Sequence, residues 1–268
     1  MKIGLYTRYL SPTFRDELQE LAAALRRREV TTVEVDGSLG EEELDFLFSI
    51  GGDGTLLSAV HLLAGRAIPV VGINFGHLGF LTTTGRDDFD QLADDLLAGR
   101  YTVEPRTLLH VEVKGAPALT SSALNEVSLH RIDDTNLLRT DLYVGDDFVA
   151  SYDGDGLLVA TPTGSTAYSL SCGGPILTPD CGCFVVTPIA VHNLSLRPII
   201  VPDSATLRLV TAPGSNVNLG TDSRHHTLTG GSEIVLTREP FTVRLVRLRD
   251  QSFFSAIQQK LNWGGGSR

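Results

Sequence analysis

Leu44-Asp45-Phe46-Leu47-Phe48-Ser49-Ile50-Gly51-Gly52-Asp53-Gly54-Thr55 reads as a buried apolar strand running into a glycine turn. Leu56-Leu57-Ser58-Ala59-Val60-His61-Leu62-Leu63 follows directly, with the spacing of a helix packed on a sheet. A strand, a glycine turn and a helix start therefore meet at one carboxylate, that of Asp53. Glycine permits positive φ and close approach of the backbone to a bulky anion, and the N–H groups of a helix start favour phosphate. Gly51, Gly52, Gly54 and Thr55 are thus candidate phosphate-turn residues. Asp53 is the only charged side chain of the turn, placed to accept a proton from a hydroxyl attacking phosphorus. The plainer alternative is a turn in which Asp53 only caps the helix.

Outward from this turn, strands alternate with helices up to about residue 100. Lys2 to Tyr6, Thr31 to Val35 and Ile68 to Ile73 read as strands, Phe14 to Arg28 and Phe89 to Leu97 as helices. That order predicts an α/β domain over residues 1–100, with a parallel sheet covered by helices and ligands at the carboxyl ends of the strands. After about Tyr101 the period becomes two. Leu109 to Val113, Leu124 to Leu129, Asp141 to Val144 and Phe148 to Ser151 alternate, the last pair around a Gly145-Asp146-Asp147 turn. Ile199 to Val201, Thr206 to Val210, Val217 to Gly220, Glu233 to Thr237 and Phe241 to Arg247 add further short strands. Residues 101–248 are therefore expected to form a mostly antiparallel, sandwich-like β-rich domain. Thr163 to Ser171 is the exception, where small residues open a helix. The tail 249–268 holds a short helix over Phe253 to Trp263, with Phe254, Ile257 and Leu261 on one side, that is free to return to the first domain.

The 268-residue chain is long enough to bury a full core, and its 42% hydrophobic and 20% charged content is ordinary for a globular protein. A net charge of −10 argues against a nucleic-acid partner, which would need a basic face. No apolar run reaches bilayer-spanning length, and Met1 to Tyr6 lacks a signal-peptide layout. Cys172, Cys181 and Cys183 make no disulfide framework, so a reducing cytoplasm is expected. Lysine occurs only at Lys2, Lys114 and Lys260, and no Walker-type Gly-Lys-Ser/Thr is present, so phosphate must be handled by another device.

A second constellation follows Asp153-Gly154-Asp155-Gly156. The apolar Leu157 to Ala160 feeds Thr161-Pro162-Thr163-Gly164-Ser165-Thr166-Ala167-Tyr168, a loop of hydroxyls, glycine and one aromatic ring. Hydroxyls and backbone N–H groups suit phosphate and ribose oxygens, and Tyr168 offers a flat face with a polar tip. Such a loop is also ordinary turn chemistry.

Together these segments resemble the ATP-dependent NAD kinase family, bacterial type. The likeness is carried by Gly51 to Thr55, Gly76-His77-Leu78-Gly79-Phe80, Leu124-Asn125-Glu126-Val127 and Gly154-Asp155-Gly156. Thr161 to Tyr168, Ser171-Cys172-Gly173-Gly174-Pro175 and Arg197-Pro198-Ile199 extend it. The resemblance implies transfer of the ATP γ-phosphoryl group to the 2′-hydroxyl of the adenosine ribose of NAD, with the active site between the two domains. It implies Asp53 as general base or orienting group, and Asn125 and Glu126 lining the adenosine site. Asp155 would bond the exocyclic amine of a nicotinamide or adenine ring, and Thr163, Thr166, Ala167, Tyr168 and Ser171 would complete the dinucleotide wall. His77 and Phe80 are further candidate site residues; His77, in a glycine turn at an expected strand end, either helps to shape the phosphate mouth or makes a plain structural hydrogen bond. Asp222 matches a family aspartate usually followed by glycine, whereas Ser223 follows here. Mg²⁺ is expected to arrive with ATP, and a homodimer or homotetramer is implied.

Two rival readings stand beside this one. A lipid or sugar kinase would share the Gly-Gly-Asp-Gly turn, and a non-catalytic NAD(P)-binding sensor would share the dinucleotide wall. Cys181-Gly182-Cys183 with His192 lacks the spacing and the fourth ligand of a zinc site, so no protein metal site is expected.

Overall fold

The computed structural model describes residues 1–8, 12–41, 43–74, 79–82, 89–115, 119–132, 136–214, 216–248 and 252–263. The chain forms two compact units, Met1–Pro105 with Val243–Arg268, and Arg106–Thr242. Among the described residues no helix is long and apolar enough to cross a membrane.

The first unit is an α/β layer structure. Its strands are β1 (Lys2–Tyr6), β2 (Thr31–Val35), β3 (Phe46–Ile50) and β4 (Val70–Ile73), and its helices include α1 (Pro12–Arg26), α2 (Asp53–Leu63) and α3 (Phe89–Leu97). The sheet order is β2-β1-β3-β4, all parallel. Leu245 and Val246 extend it by pairing in parallel with Val70 and Val71. β3 and β4 are buried at every position, which is why they read as continuous apolar runs and not as alternation. Leu21, Ala22 and Leu25 of α1 and Leu92, Ala93 and Leu96 of α3 share one core with Ile3, Phe48, Ile50 and Val71. Each fully buried leucine there contributes about 1.5–3 kcal/mol. The helix α2 packs on β3 and β4. Strand order reverses at β1, because β2 lies on one side of it and β3 on the other. The turn after β3 thus opens at the carboxyl end of the sheet beside this switch point, where α/β sheets bind ligands.

The second unit is antiparallel. Its strands are the 106–114 part of β5 (Tyr101–Lys114), β6 (Thr120–Ala123), β7 (Glu126–Arg131), β8 (Leu138–Val144), β9 (Asp147–Gly154), β10 (Gly156–Ala160), β11 (Cys183–Ile189), β12 (Ile199–Pro202), β13 (Leu207–Thr211), β14 (Val217–Thr221), β15 (Arg224–Leu228) and the 233–242 part of β16 (Glu233–Leu248). One sheet runs β12-β11-β10-β7-β14-β15; the other pairs β16, β13, β8 and β9. Alternate residues of both sheets face one core: Val127 and Leu129, Leu157 and Val159, Phe184 and Val186 from the first, Leu142, Leu207, Leu209, Ile234 and Leu236 from the second. That is sandwich packing.

β5 and β16 carry the chain between the units. The compact units divide inside these strands, at 105/106 and 242/243, and not at the expected 100/101 and 248/249. The two strands expected over Glu233 to Thr237 and Phe241 to Arg247 are one strand. The charged interruption Arg238-Glu239 reads as a break, yet Glu239 is buried and bonded to His110 Nδ1 (3.0 Å) and to the Ser122 hydroxyl. The final helix, α4 (Phe253–Leu261), starts at Ser252, whose hydroxyl accepts from the Ser255 N–H at 3.0 Å. It lies within the first unit.

Candidate active site

In the first unit the site begins where β3 ends. The Gly51 N–H donates to the Ile73 carbonyl (2.8 Å), Gly52 is the N-cap of α2, and Gly54 is exposed in the first turn. Thr55 faces inward at 2% exposure, so its side chain shapes the turn from behind. Asp53 does not cap its own helix, since that cap has no side-chain bond. Its carboxylate instead receives a different segment. Oδ2 accepts from the Phe80 N–H (2.8 Å), and Oδ1 from the Leu81 and Thr82 N–H groups and the Thr82 hydroxyl (each 3.2 Å). Gly79 passes so close that a Cβ would collide with the Asp53 carboxylate, so only glycine fits. Arg247 ties the same segment from behind, donating to the Phe80 carbonyl (3.1 Å) and to Glu104 (3.1 Å). Asp53 is thus rigidly aimed, and Oδ2, with one described hydrogen bond against three on Oδ1, has lone-pair capacity for an incoming hydroxyl. His77 lies outside the described residues.

In the second unit an aspartate plays a matching structural part. Asp222 occupies the two-residue turn between β14 and β15 with φ 52°, a left-handed conformation that aspartate tolerates. Its carboxylate accepts from the N–H groups of Leu124 (2.8 Å), Asn125 (2.8 Å) and Glu126 (3.2 Å). The other side of this segment is clamped by the hydroxyl-rich loop. The Thr161 N–H donates to the Asn125 carbonyl (2.9 Å), its hydroxyl to the Leu124 carbonyl (2.5 Å) and the Gly164 N–H to the Thr161 hydroxyl (3.2 Å). A Cβ at Gly164 would strike the Asn125 backbone, which explains the glycine.

The expected dinucleotide residues are gathered around this clamp. Asn125 is buried at 9% exposure, and Glu126 opens β7. The loop makes a 3₁₀ turn over Thr163–Thr166, with Thr163 buried and its hydroxyl near Arg106 Nη1 (3.4 Å). A helical turn over Tyr168–Ser171 follows, and its Tyr168 N–H favours the charged form of the Glu126 carboxyl, against the effect of burial. Thr166 and Ala167 are half-buried, while Tyr168 and Ser171 are exposed. The Tyr168 ring stacks on His130 (centroids 5.7 Å apart, planes at 26°), presenting its other face. Asp155 is ion-paired to Arg131 Nε at 2.8 Å. Cys172 packs on the apolar cluster of Leu158, Ala160, Leu177, Val185 and Ile189. Among the described residues no group of three or more His, Cys, Asp or Glu side chains is placed to hold a metal ion.

Burial, and then the charge of Asp222, push the Glu126 carboxyl up to about 7; burial likewise raises Asp222 to about 6 against its three N–H donors. Glu126 Oε2 is buried and has no hydrogen-bond partner among the described residues. A carboxyl whose folded pKa is raised holds a proton that the unfolded chain has already released, so stability falls as pH climbs from about 4.5 to about 7 and then levels. Glu126→Gln should flatten that slope and gain stability at pH 8 relative to wild type, by about 3 kcal/mol at most. Denaturant titrations at pH 5 and pH 8 would read the difference, and an unchanged pH slope in the variant would contradict it.

With both residue sets in place, relatives can be compared. Residues 11–101 match the ATP-NAD kinase N-terminal domain and residues 124–248 the ATP-NAD kinase C-terminal domain. The chain belongs to the NAD kinase family. An NAD kinase of Moorella thermoacetica is 38% identical, covering 98% of this chain and 90% of its own. One from Porphyromonas gingivalis is 43% identical over 85% of this chain and 79% of its own, and one from Christiangramia forsetii 39% over the same shares. An Archaeoglobus fulgidus NAD kinase, solved in complex with ATP, superposes with a TM-score of 0.82 at 25% identity, covering 98% of this chain and 99% of that one. Yeast NADH kinase, solved with NADH, shares the fold at TM-score 0.89 and 24% identity, covering 100% of this chain and 89% of that one. These relatives favour neither the lipid or sugar kinase nor the non-catalytic sensor. Sequence reasoning missed three residues around the kinase family's aspartate turn: Thr82, Arg247 and Lys260. Arg247 was detectable as a charge inside an apolar strand, and Lys260 as one of three lysines.

Proposed function

We infer that this chain is an NAD kinase that divides the work of phosphoryl transfer between its two residue sets. It transfers the γ-phosphoryl group of ATP to the 2′-hydroxyl of the adenosine ribose of NAD, giving NADP. The observation that carries the assignment of roles is a pair of carboxylates, Asp53 held by backbone N–H groups and Glu126 carried on a backbone segment that Asp222 holds. Asp53 lies beside a glycine turn at a helix start, and Glu126 has a buried oxygen in need of donors. The N–H groups at the start of α2 suit the donor phosphates. Asp53 Oδ2 orients the acceptor hydroxyl and takes its proton as the oxygen attacks. Glu126 accepts from ribose hydroxyls, and Asn125 helps to line the adenosine site. Asp155, Thr163, Thr166, Ala167, Tyr168 and Ser171 form the rest of the wall, with the Tyr168 ring as a stacking face. Asp222 acts through the backbone of Leu124 to Glu126.

The charge that develops on the transferred group needs a divalent cation. Such a cation would arrive with ATP and supply that charge neutralisation. The chain works in the cytoplasm as a homodimer or homotetramer. Incubation with ATP, Mg²⁺ and NAD should yield NADP; a strong chelator should abolish this, and Mg²⁺ or Mn²⁺ should restore it. Replacing Cys172, Cys181 and Cys183 together should leave turnover in place. Activity lost with those cysteines, together with stoichiometric zinc in the wild type, would overturn the metal assignment.

A further inference from the structure

The segment Ser49 to Thr55 carries no cation, and Asp53 adds a negative charge where a triphosphate must sit. The charge that answers it comes from the far end of the chain. Lys260 of α4 places Nζ 3.8 Å from Asp53 Oδ2 and 4.8 Å from the centroid of the Phe80 ring. Both side chains of the pair are 29% exposed, so the ammonium is accessible to a ligand. Its distance to Asp53 is that of an ion pair and too long for a hydrogen bond, and among the described residues Nζ makes none. Three N–H donors therefore remain for another acceptor.

The fold explains how the lysine arrives there. Ile257 is the buried residue of α4, at 6% exposure, and Lys260 lies three positions on, along the same helical face. Burying Ile257 aims Lys260 inward, and its alkyl stem carries the charge to the turn. Phe80 cradles the ammonium with its ring while its own N–H binds Asp53 Oδ2, so ring and carboxylate hold the cation as one unit. Lys260 also lies beyond residues 11–101 and 124–248, the stretches that match the kinase domains.

We propose that Lys260 is the phosphate-binding cation of the donor site, moving from Asp53 onto a phosphate oxygen of the bound nucleotide. This rests on the kinase reading of the same turn. In the empty site the ammonium offsets the Asp53 charge; in the filled site it binds the phosphate oxygen and stands between it and the carboxylate, removing a repulsion that would otherwise oppose donor binding. A compact charge on a flexible stem suits that transfer.

The test is calorimetric titration of the full chain with ADP and Mg²⁺, together with steady-state kinetics, on wild type, Lys260→Gln and Lys260→Arg. Loss of one charge-assisted phosphate contact should raise the ADP Kd and the ATP KM about 10–100-fold in Lys260→Gln. The NAD KM should change by less than about threefold, and Lys260→Arg should recover most of the loss. ADP binding needs no turnover. A wild type that binds ADP but makes no NADP would sink the kinase reading, while the titration still decides Lys260. Wild-type ADP affinity in Lys260→Gln would overturn the proposal. So would equal losses for ADP and NAD in both variants with lowered thermal stability, which would assign Lys260 a structural role.

Discussion

Asp53→Asn is expected to lower kcat by roughly 10²–10⁴ while the NAD KM changes little. The substitution keeps size and turn propensity but removes the negative charge and the proton acceptor. The structure adds a second cost. Four hydrogen bonds converge on the carboxylate from Phe80, Leu81 and Thr82. An amide has one acceptor oxygen, so its NH₂ must face N–H donors on the other side. A stability loss of about 1–3 kcal/mol should accompany the fall in kcat. Measuring kcat below the variant's own unfolding transition separates the two effects. A folded Asp53→Asn protein with near-normal kcat would remove the general-base role and leave Asp53 as the anchor of the 79–82 segment.

Asp222→Ala should be the most damaging substitution in the second unit. It strands the N–H groups of Leu124, Asn125 and Glu126, and it puts alanine at φ 52°. Orphaning several buried donors should cost about 3–5 kcal/mol of stability, and release of the segment should raise the NAD KM about tenfold or more. Asp222→Asn keeps the left-handed conformation and one acceptor, so it should lie between the two. Three backbone N–H groups hold the carboxylate. A variant that retains wild-type NAD KM and stability would show that Leu124 to Glu126 holds its shape without Asp222.

What could be read in the sequence was whatever is local. Phe89, Leu92, Ala93 and Leu96 repeat at helical spacing, and α3 has the bounds that spacing predicts. The Gly145-Asp146 turn sets the β8–β9 hairpin for the same reason: two residues decide it. β11 is missing from the expected strands because the residues leading into it, Cys181-Gly182-Cys183, draw attention as chemistry, although Phe184 to Ile189 is buried at every position. β16 was divided because Glu239 is charged, and only distant His110 and Ser122 make that charge tolerable.

The candidate site follows the same rule. Gly51 to Thr55 and Thr161 to Tyr168 are contiguous, so their chemistry shows in order along the chain. The partners that orient them do not. Asp53 is fixed by backbone N–H groups of a later segment, and Asp222 fixes a segment far before it. A backbone donor has no residue type, so such bonds leave no trace in sequence. Lys260 reaches Asp53, and Arg247 reaches the Phe80 segment that binds it, from the last stretch of the chain, where the returning β16 and α4 bring them.

The most direct test of the whole account uses ATP labelled at the γ-phosphate, Mg²⁺ and three acceptors: NAD, an NAD analogue lacking the adenosine 2′-hydroxyl, and a diacylglycerol or sugar alcohol. Label is expected on NAD alone, at the 2′ position, and should be lost in Asp53→Asn. Label on the lipid or sugar with none on NAD, or equal labelling of the 2′-deoxy analogue, would contradict it.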